Sequence, residues 1–328
     1  MSAVVSTPAT APLGQRAKRF MSDYPTVPLL VLLALLLVAL HILQPGIINQ
    51  RWAAQTMQFA IPLALLAGCQ TITMLTGGID MSAGTVASVT AYVLGSQALH
   101  HDPAVAVLIA MVPALLVGIV NGIGVGVFRV HPLIMTLGTG LIAFGCLQVY
   151  QRTVIATGFQ VPDWLRWLGT GQTWGLPNSL VAFVPIAAII IFTLRSTGFG
   201  RLLYALGDNE RAARLAGVRY WQVILALYVI SSLLAGLTGL LFLGLIKTAS
   251  LTLVDPQLLP SVAAAVIGGT SIFGGRGGYV GTIIGAVILR VITTMLTLMQ
   301  IPEGARMIIF GAIILAVTAI YLKIIEDR

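Results

Sequence analysis

Residues 27–43 read "VPLLVLLALLLVALHIL", an apolar run without a charged residue. A helix needs about 20 such residues to cross the roughly 30 Å hydrocarbon core of a membrane. Runs of comparable length recur along the chain, which is 58% hydrophobic and only 9% charged, whereas soluble domains carry about 25% charged residues. The sequence therefore predicts an all-α, polytopic membrane protein. A membrane β-barrel would instead alternate apolar and polar residues in short strands.

Ten apolar segments are predicted to cross the membrane. They lie near residues 27–44, 55–76, 82–99, 104–127, 131–150, 179–195, 221–246, 258–273, 277–299 and 304–323. The eighth is the weakest, because it is short and runs into the glycine-rich stretch "VIGGTSIFGGRGG". Such a pattern is typical of a re-entrant or broken helix.

Basic residues predict the orientation of the chain, since short cytoplasmic loops are enriched in Lys and Arg. A cytoplasmic start places twelve of them on that side: Arg16, Lys18, Arg19, Arg129, Arg195, Arg201, Arg211, Arg214, Arg219, Arg276, Lys323 and Arg328. The opposite side receives four: Arg51, Arg152, Arg166 and Lys247. This bias predicts cytoplasmic N- and C-termini, with a cytoplasmic segment 1–26, a transmembrane domain 27–323 and a cytoplasmic tail 324–328.

Several functional classes find no support in the sequence. The net charge of +8 lies in the loops between apolar runs rather than in a nucleic-acid-binding patch. Neither a G-x-x-x-x-G-K-[ST] phosphate loop nor a G-x-S-x-G serine motif occurs. The histidines and the two cysteines, Cys69 and Cys146, do not have the spacing of metal ligands. We therefore predict no catalytic residue, metal or cofactor in this chain.

A carboxylate stands among glycines in "LTGGIDMSAG", residues 75–84. Loop parity places this stretch at the cytoplasmic end of the second span. Its glycines can turn the chain tightly, and Asp80 or Ser82 can then cap the third span by accepting its free backbone N–H groups. The alternative is that the turn lies deeper, at a broken helix, and forms an inner gate.

The long cytoplasmic loop, residues 196–220, contains a predicted short helix. Asp208 or Asn209 can cap its start, "ERAARLA" favours helix, and Gly217 can adopt the left-handed conformation that ends it. Such a helix is too short to cross the membrane. It either inserts into a groove on another protein or lies on the bilayer surface. On the opposite side, loop 151–178 carries three tryptophans, which are typical of interfacial anchors.

Polar groups inside the predicted spans are few. Asn121 is predicted to bond across helices, and Gln70 resembles it in kind. Arg290 must face a cavity, a partner or a polar wall, because a charge facing lipid there costs at least about 2.5 kcal/mol. The alternative is that its side chain snorkels or meets a backbone carbonyl. Coupling to an ion gradient usually needs clustered ionisable groups inside the spans, so it finds little support.

Four blocks rich in glycine and small residues follow one another along the chain. They are "LTGGIDMSAGTVAS", "NGIGVGVFRVHPLIMTLGTG", "LYALGDNERAARLAGVRYWQV" and "VAAAVIGGTSIFGGRGGYVGTIIGAVIL". Together they resemble the ribose-type permeases of bacterial ABC importers, over about residues 55 to 323. The first block is similar to the family signature GGIDLSVG, with Met81 and Ala83 in place of Leu and Val. His131 stands where the family often has Pro.

The resemblance implies a permease subunit that translocates a simple sugar, such as a pentose, a hexose or a related polyol, across the inner membrane. It implies three protein partners: a second permease subunit, identical or paralogous, a periplasmic sugar-binding protein, and a separate cytoplasmic ATPase that binds ATP and Mg²⁺. Residues 196–220 would then form the cytoplasmic coupling loop, and residues 151–178 a periplasmic loop.

The resemblance and the residue types together give four sets of candidate site residues. The ATPase-coupling helix comprises Asp208, Asn209, Glu210, Arg211, Ala212, Ala213, Arg214 and Gly217. The family signature, or inner gate, comprises Gly77, Gly78, Asp80, Ser82 and Gly84. The substrate path is expected to include Gln70, Asn121, Thr136 and Thr139. The C-terminal glycine-rich block comprises Gly268, Gly269, Thr270, Gly274 and Gly275.

Three other functions stay open at this point. A permease for branched-chain amino acids or nucleosides would share the architecture. An ion-coupled secondary transporter would work without an ATPase. A scaffold or a membrane enzyme is the least favoured, because no catalytic constellation is present.

Overall fold

The computed structural model describes residues 26–154 and 158–326. Residues 1–25 and 327–328 of the predicted terminal segments lie outside this range. The described part contains thirteen α-helices: α1 (Thr26–Leu43), α2 (Gln50–Met74), α3 (Ala83–Gln97), α4 (Pro103–Gly126), α5 (Pro132–Val154), α6 (Asp163–Thr170), α7 (Leu180–Ser196), α8 (Gly198–Asp208), α9 (Glu210–Leu215), α10 (Tyr220–Ile246), α11 (Leu258–Ile267), α12 (Tyr279–Leu298) and α13 (Glu303–Glu326). A 3₁₀ turn, Asp255–Gln257, precedes α11.

Strands are limited to one small hairpin in the described part. β1 (Gln172–Thr173) pairs antiparallel with β2 (Leu176–Pro177). Six described helices, α1, α2, α4, α5, α10 and α12, are long and apolar enough to cross a membrane. A seventh span results if α7 and α8, which meet at an angle of 65°, are taken together. The predicted class, an all-α polytopic membrane protein, is confirmed.

Two predicted spans are shorter than expected. Segment 82–99 forms only the 15 residues of α3, and segment 258–273 forms only the 10 residues of α11. At 1.5 Å per residue these helices are about 22 Å and 15 Å long, which is less than the roughly 30 Å of hydrocarbon. Neither helix can cross a membrane alone.

The two short helices begin beside each other. The Val254 N–H donates to Ser88 Oγ over 2.9 Å, and Gly84, in the first turn of α3, packs against Asp255 and Leu258. From this meeting point α11 runs antiparallel to α12, which packs along it closely. Glycine-rich chain flanks both short helices. We call residues 75–82, before α3, the signature segment, and residues 268–278, after α11, the glycine segment.

The core is built around α2 and α10. α10 packs against α2, α3 and α4, and its contact with α4 is close because glycines face it. A Cβ atom at Gly118 would lie 2.9 Å from Val229 Cα, and one at Gly122 would lie 2.7 Å from Leu225 Cα. Small residues bring membrane helices together in this way. α1 lies at the periphery, where most of its leucines are exposed or partly exposed, as expected for a lipid-facing helix.

The helix bundle has two different ends. One carries α6 and the hairpin, and Gly169 of α6 packs directly on the Gly244 backbone there. Exposed tryptophans cluster at this hairpin end: Trp164, Trp167 and Trp174. The other end carries α8 and α9, and the loop between α4 and α5 lies beside them. We refer to these as the hairpin end and the α8–α9 end.

Candidate functional site

The Asp80 carboxylate lies at the centre of a buried polar network. Its Oδ1 accepts hydrogen bonds from the Ser82 N–H over 3.0 Å and from Ser82 Oγ over 2.6 Å. Its Oδ2 accepts one from Ser231 Oγ of α10 over 2.8 Å. The side chain is fully buried, and within residues 26–154 and 158–326 no basic side chain forms an ion pair with it. Hydrogen bonds alone therefore compensate the lost hydration of this carboxyl group.

The signature segment is also held through its backbone. The Gln70 side chain brackets Asp80: its Nε2 donates to the Asp80 carbonyl over 2.8 Å, and its Oε1 accepts from the Asp80 N–H over 3.2 Å. On the other side, Thr136 Oγ1 of α5 accepts from the Met81 N–H over 3.0 Å. The segment has no regular secondary structure, yet its buried polar groups bond to two neighbouring helices.

A second layer links the segment to α4 and α5. Asn121 Nδ2 donates to Ser82 Oγ over 3.0 Å, and Thr139 Oγ1 donates to Asn121 Oδ1 over 2.6 Å. All four predicted path residues therefore converge on one place. In this conformation Gln70, Asn121, Thr136 and Thr139 are buried. Their polar groups bond to the signature segment and to one another. Of these four residues, Thr139 also borders a cavity of about 600 Å³, which is an apolar space between α3, α4 and α5.

The position of the segment differs from the prediction based on loop parity. Its start, at Leu75, does lie at the α8–α9 end, because Leu75 packs against Gly207 of α8. From there the chain turns back into the bundle, and the partners of Asp80 lie about one to three helical turns inside the ends of their helices. Parity cannot distinguish a surface turn from a re-entrant one, because both return the chain to the same side.

The structure also specifies how α3 begins. Ser82 is the residue before α3, but its side chain makes no capping bond to the helix. Asp80 instead accepts the Ser82 N–H, which fixes the last turn before the helix. Asp80 therefore combines features of both interpretations. It fixes the turn that begins α3, and it lies buried inside the helix bundle.

The predicted coupling helix corresponds to α9, with defined ends. Asn209, rather than Asp208, is the cap, since its side chain accepts the Ala212 N–H over 2.9 Å. Gly217 closes the helix with φ +89°, and the Val218 N–H bonds to the Ala213 carbonyl over 3.1 Å. This is the left-handed ending expected of a helix C-terminus.

α9 exposes an apolar surface. Of its small residues, Ala213 is buried, whereas Ala212 and the following Ala216 are exposed. Leu215 is 84% exposed. Arg211 and Arg214 flank this surface. A small apolar knob with a basic margin is suited to a groove on another protein.

An ion pair ties α9 to the membrane helices. Arg129 Nη1, in the loop between α4 and α5, donates to Glu210 Oε1 over 2.6 Å. The same guanidinium lies over the Tyr220 ring, 3.6 Å from its centroid, and Arg214 approaches Glu210 at 3.8 Å. Because both partners are about 40% exposed, the pair contributes at most about 1 kcal/mol to stability. The main effect of the ion pair is to hold α9 beside the start of α5.

The sequence patterns do not predict α8, which lies within the predicted loop 196–220. This helix packs Leu203 and Leu206 into the core, and Thr197 caps it by accepting the Gly200 N–H over 3.3 Å. Burial raises the pKa of Tyr204, an effect that nearby Arg195 opposes. The spacing of the α8 leucines was the available signal.

The predicted C-terminal block divides between a helix end and a turn. Gly268 ends α11, and Gly269 follows with φ +87°. Gly274 and Gly275 also adopt left-handed conformations, with φ +93° and +71°. Thr270 is buried, and its hydroxyl has no hydrogen-bond partner within the described part of the chain. The Gly275 N–H donates to the Leu75 carbonyl over 2.9 Å, so the block meets the signature segment.

Two partnerships of this region were not predicted. Ser231 lies in a largely apolar span, where the pair Ser231–Ser232 was the local polar signal. Arg129 and Glu210 are far apart in sequence, so no local pattern could pair them. Within the described residues no cluster of three or more His, Cys, Asp or Glu could hold a metal ion.

Two short helices that meet inside a helix bundle, each flanked by glycine-rich chain, are typical of membrane transport proteins. A family described as "Branched-chain amino acid transport system / permease component" matches residues 52–318 of the chain. The chain belongs to this family, and it is a multi-pass inner-membrane protein.

Similar proteins are named as sugar importers. The chain is 32% identical to the ribose import permease protein RbsC of Escherichia coli (strain K12), over 87% of this chain and 90% of that protein. It is 29% identical to the fructose import permease protein FrcC of Rhizobium meliloti, over 93% and 88% of the two chains. It is 31% identical to the galactofuranose transporter permease protein YtfT of Escherichia coli (strain K12), over 88% and 86%. No solved structure matches the chain.

Proposed function

We propose that this chain is the permease subunit of an ABC importer that translocates a simple sugar across the bacterial inner membrane. The observation that carries the proposal is the agreement among the relatives. Those named above import ribose, fructose or galactofuranose, and each aligns with at least 87% of this chain. A pentose, a hexose or a related sugar is therefore favoured over branched-chain amino acids and nucleosides.

Ten membrane crossings with cytoplasmic termini fit this function. Eight follow from α1, α2, α4, α5, α7, α10, α12 and α13. In each of the remaining two crossings, a short helix is continued by the non-α-helical chain before it. These are the signature segment with α3, and residues 247–257 with α11. This arrangement keeps both termini on one side. Exposed arginines at the α8–α9 end, Arg211, Arg219 and Arg276 among them, support a cytoplasmic location of that end, because cytoplasmic loops are enriched in basic residues.

A separate ATPase would drive the cycle. The sequence has no phosphate-binding loop of its own, so ATP and Mg²⁺ would bind to the partner. The exposed knob of α9, centred on Ala212 and Leu215, would insert into a groove of that ATPase. A second permease subunit would complete the path, and a periplasmic sugar-binding protein would dock at the hairpin end.

The substrate path would follow the partly exposed side of the signature segment. Thr76, Gly77, Ile79 and Met81 are exposed or partly exposed along it, and Thr85 continues this side into α3. The buried network of Gln70, Asn121, Thr136 and Thr139 would hold the segment from behind. A neutral sugar needs no compensating charge on this surface. Brief hydroxyl contacts suffice during passage, because tight recognition belongs to the binding protein.

Reconstitution tests the proposal. The permease, the ATPase and the binding protein encoded with it are placed in proteoliposomes, and uptake of radiolabelled sugars, branched-chain amino acids and nucleosides is measured. We expect uptake of one sugar class that requires ATP and the binding protein. Uptake driven by an ion gradient without the ATPase would support the secondary transporter instead. Selective uptake of an amino acid or a nucleoside would support the related permease classes.

The docking role of α9 can be tested separately. Ala212→Trp places a bulky side chain on an exposed position, so the permease should fold normally but fail to bind or couple to the ATPase. Ala34→Trp, exposed on the peripheral helix α1, is the matched control and should transport normally. If Ala212→Trp transports as well as Ala34→Trp, α9 does not occupy a groove.

A further inference from the structure

Three stretches of backbone meet at Gly207, near the end of α8, with no side chain between them. A Cβ atom at Gly207 would overlap the Leu75 carbonyl oxygen and the Gly275 nitrogen. A Cβ atom at Gly274 would in turn lie 2.8 Å from the Gly207 oxygen and 3.1 Å from the Gly77 nitrogen. Only glycine permits this approach from both sides.

The two atoms that touch Gly207 are themselves a hydrogen-bonded pair. The Gly275 N–H donates to the Leu75 carbonyl over 2.9 Å, and this bond joins the glycine segment to the signature segment. α8 therefore contacts the junction of the two segments rather than either one alone. Tyr204, one turn earlier, adds a second tie by donating its hydroxyl to the Gly277 carbonyl over 3.0 Å.

α8 is also connected almost rigidly to α9. α8 ends at Asp208 and α9 begins at Glu210, so Asn209 is the only residue between them, and it is occupied as the cap of α9. A displacement of α9 is therefore carried to the end of α8 without a flexible linker. Asp208 packs on the glycine segment at the same point, where its Cα lies 3.0 Å from the Cβ position of Gly275.

We propose that Gly207 is a positioning residue for transport, which passes motion of α9 to the junction of the signature and glycine segments. The proposal rests on the proposed function, because it assumes an ATPase that moves α9. It names the point where that motion reaches the junction of the two segments, and it assigns the absence of a side chain at residue 207 to coupling rather than to packing alone.

Gly207→Ala tests the proposal, with Gly198→Ala as the matched control. Gly198 begins the same helix, and its nearest neighbour would lie 3.9 Å from an added Cβ, at the flexible end of Arg201. Both variants are reconstituted with the ATPase and the binding protein, and uptake and ATP hydrolysis are measured in the same vesicles. We expect Gly207→Ala to lower sugar taken up per ATP hydrolysed by about tenfold, within the range of mutations that alter coupling. ATP hydrolysis per assembled complex should persist, and Gly198→Ala should behave like the wild type.

Tyr204→Phe keeps the proposal testable if Gly207→Ala does not fold. It removes one hydrogen bond to the glycine segment without adding volume, and we expect uptake per ATP to fall by about three- to tenfold, in line with the loss of a single hydrogen bond. The proposal is overturned if both variants lose uptake and hydrolysis only in proportion to the amount of folded permease. It is also overturned if the uptake-to-ATP ratio of Gly207→Ala equals that of Gly198→Ala. A failure of the proposed function is distinguishable from these two outcomes, because the wild type itself would then show no ATP-dependent uptake.

Discussion

The signature segment and the glycine segment share a glycine-rich pattern but are held in different ways. Side chains from α2, α5 and α10 bond to the signature segment, and its Asp80 and Ser82 are fully buried. The glycine segment depends on backbone turns, with left-handed conformations at Gly274 and Gly275. Phe273 in its middle is 54% exposed.

This difference indicates a division of roles between the two broken spans. A buried network whose polar groups are satisfied stabilises one conformation. A segment with exposed residues and few side-chain bonds opens more easily, because local stability follows burial and hydrogen bonding. We therefore expect the signature segment to act as an anchor and the glycine segment to absorb motion that arrives through α8.

Asp80→Ala should have the largest effect, because it breaks the anchor at its centre. The substitution removes three accepted hydrogen bonds and leaves the Ser82 and Ser231 donors buried without their acceptor. We expect a loss of about 3 kcal/mol or more in the free energy of unfolding. The measurement is the thermal unfolding of the detergent-solubilised permease.

Asp80→Asn is the companion variant. It keeps one acceptor oxygen, so it should fold and transport close to the wild-type level. An Asp80→Ala variant as stable as the wild type would show that the hydrogen bonds to Asp80 do not anchor the signature segment. An Asp80→Asn variant that folds normally but does not transport would show that the charge itself works as part of a gate.

Gly274→Ala should have the next largest effect, on the glycine segment. The residue has φ +93°, and a Cβ atom would crowd the Gly207 oxygen. The backbone conformation alone costs about 1–2 kcal/mol for a residue other than glycine. Gly269→Ala provides the control, since it has φ +87° but nothing within 4 Å. Equal thermal stability and equal uptake for the two variants would show that the contact with α8 contributes nothing.

Glu210→Arg should reduce coupling with little change in stability. It replaces the ion pair with Arg129 by a repulsion, and this exposed pair contributes at most about 1 kcal/mol. We expect a clear loss of uptake per ATP hydrolysed, because α9 loses its link to the start of α5. The charge-swapped double variant, Arg129→Glu with Glu210→Arg, should recover part of the ratio. No recovery would indicate that Glu210 acts on the ATPase rather than through Arg129.

Ser231→Ala should have a smaller effect on stability than Asp80→Ala or Gly274→Ala. It removes one of the bonds to Asp80, at a cost of about 1–2 kcal/mol. Ser232→Ala is a neighbouring control, because the Ser232 hydroxyl is buried without a hydrogen-bond partner among the described residues. It should be neutral or slightly stabilising. Thermal unfolding compares the two, and equal losses would mean that the bond between Ser231 and Asp80 does not stabilise the anchor.

Much of the fold was predictable from the sequence, because apolar run length reports directly on membrane helices. The sequence also predicted the ends of α9, since Asn209 and Gly217 act within a few residues of their own positions. The depth of Asp80 was not predictable in this way. It depends on Gln70, Asn121 and Ser231, which belong to three different helices and carry no shared local pattern.

Backbone hydrogen exchange in the two segments tests the division into an anchor and a moving segment most directly. The permease–ATPase complex is analysed by mass spectrometry with and without a non-hydrolysable ATP analogue, and peptides covering residues 75–82 and 268–278 are followed. We expect residues 268–278 to change their exchange rate by about tenfold on nucleotide binding, within the usual range of coupling between sites. Residues 75–82 should stay protected in both states. A change in residues 75–82 that equals or exceeds the change in residues 268–278 would contradict the division into an anchor and a moving segment.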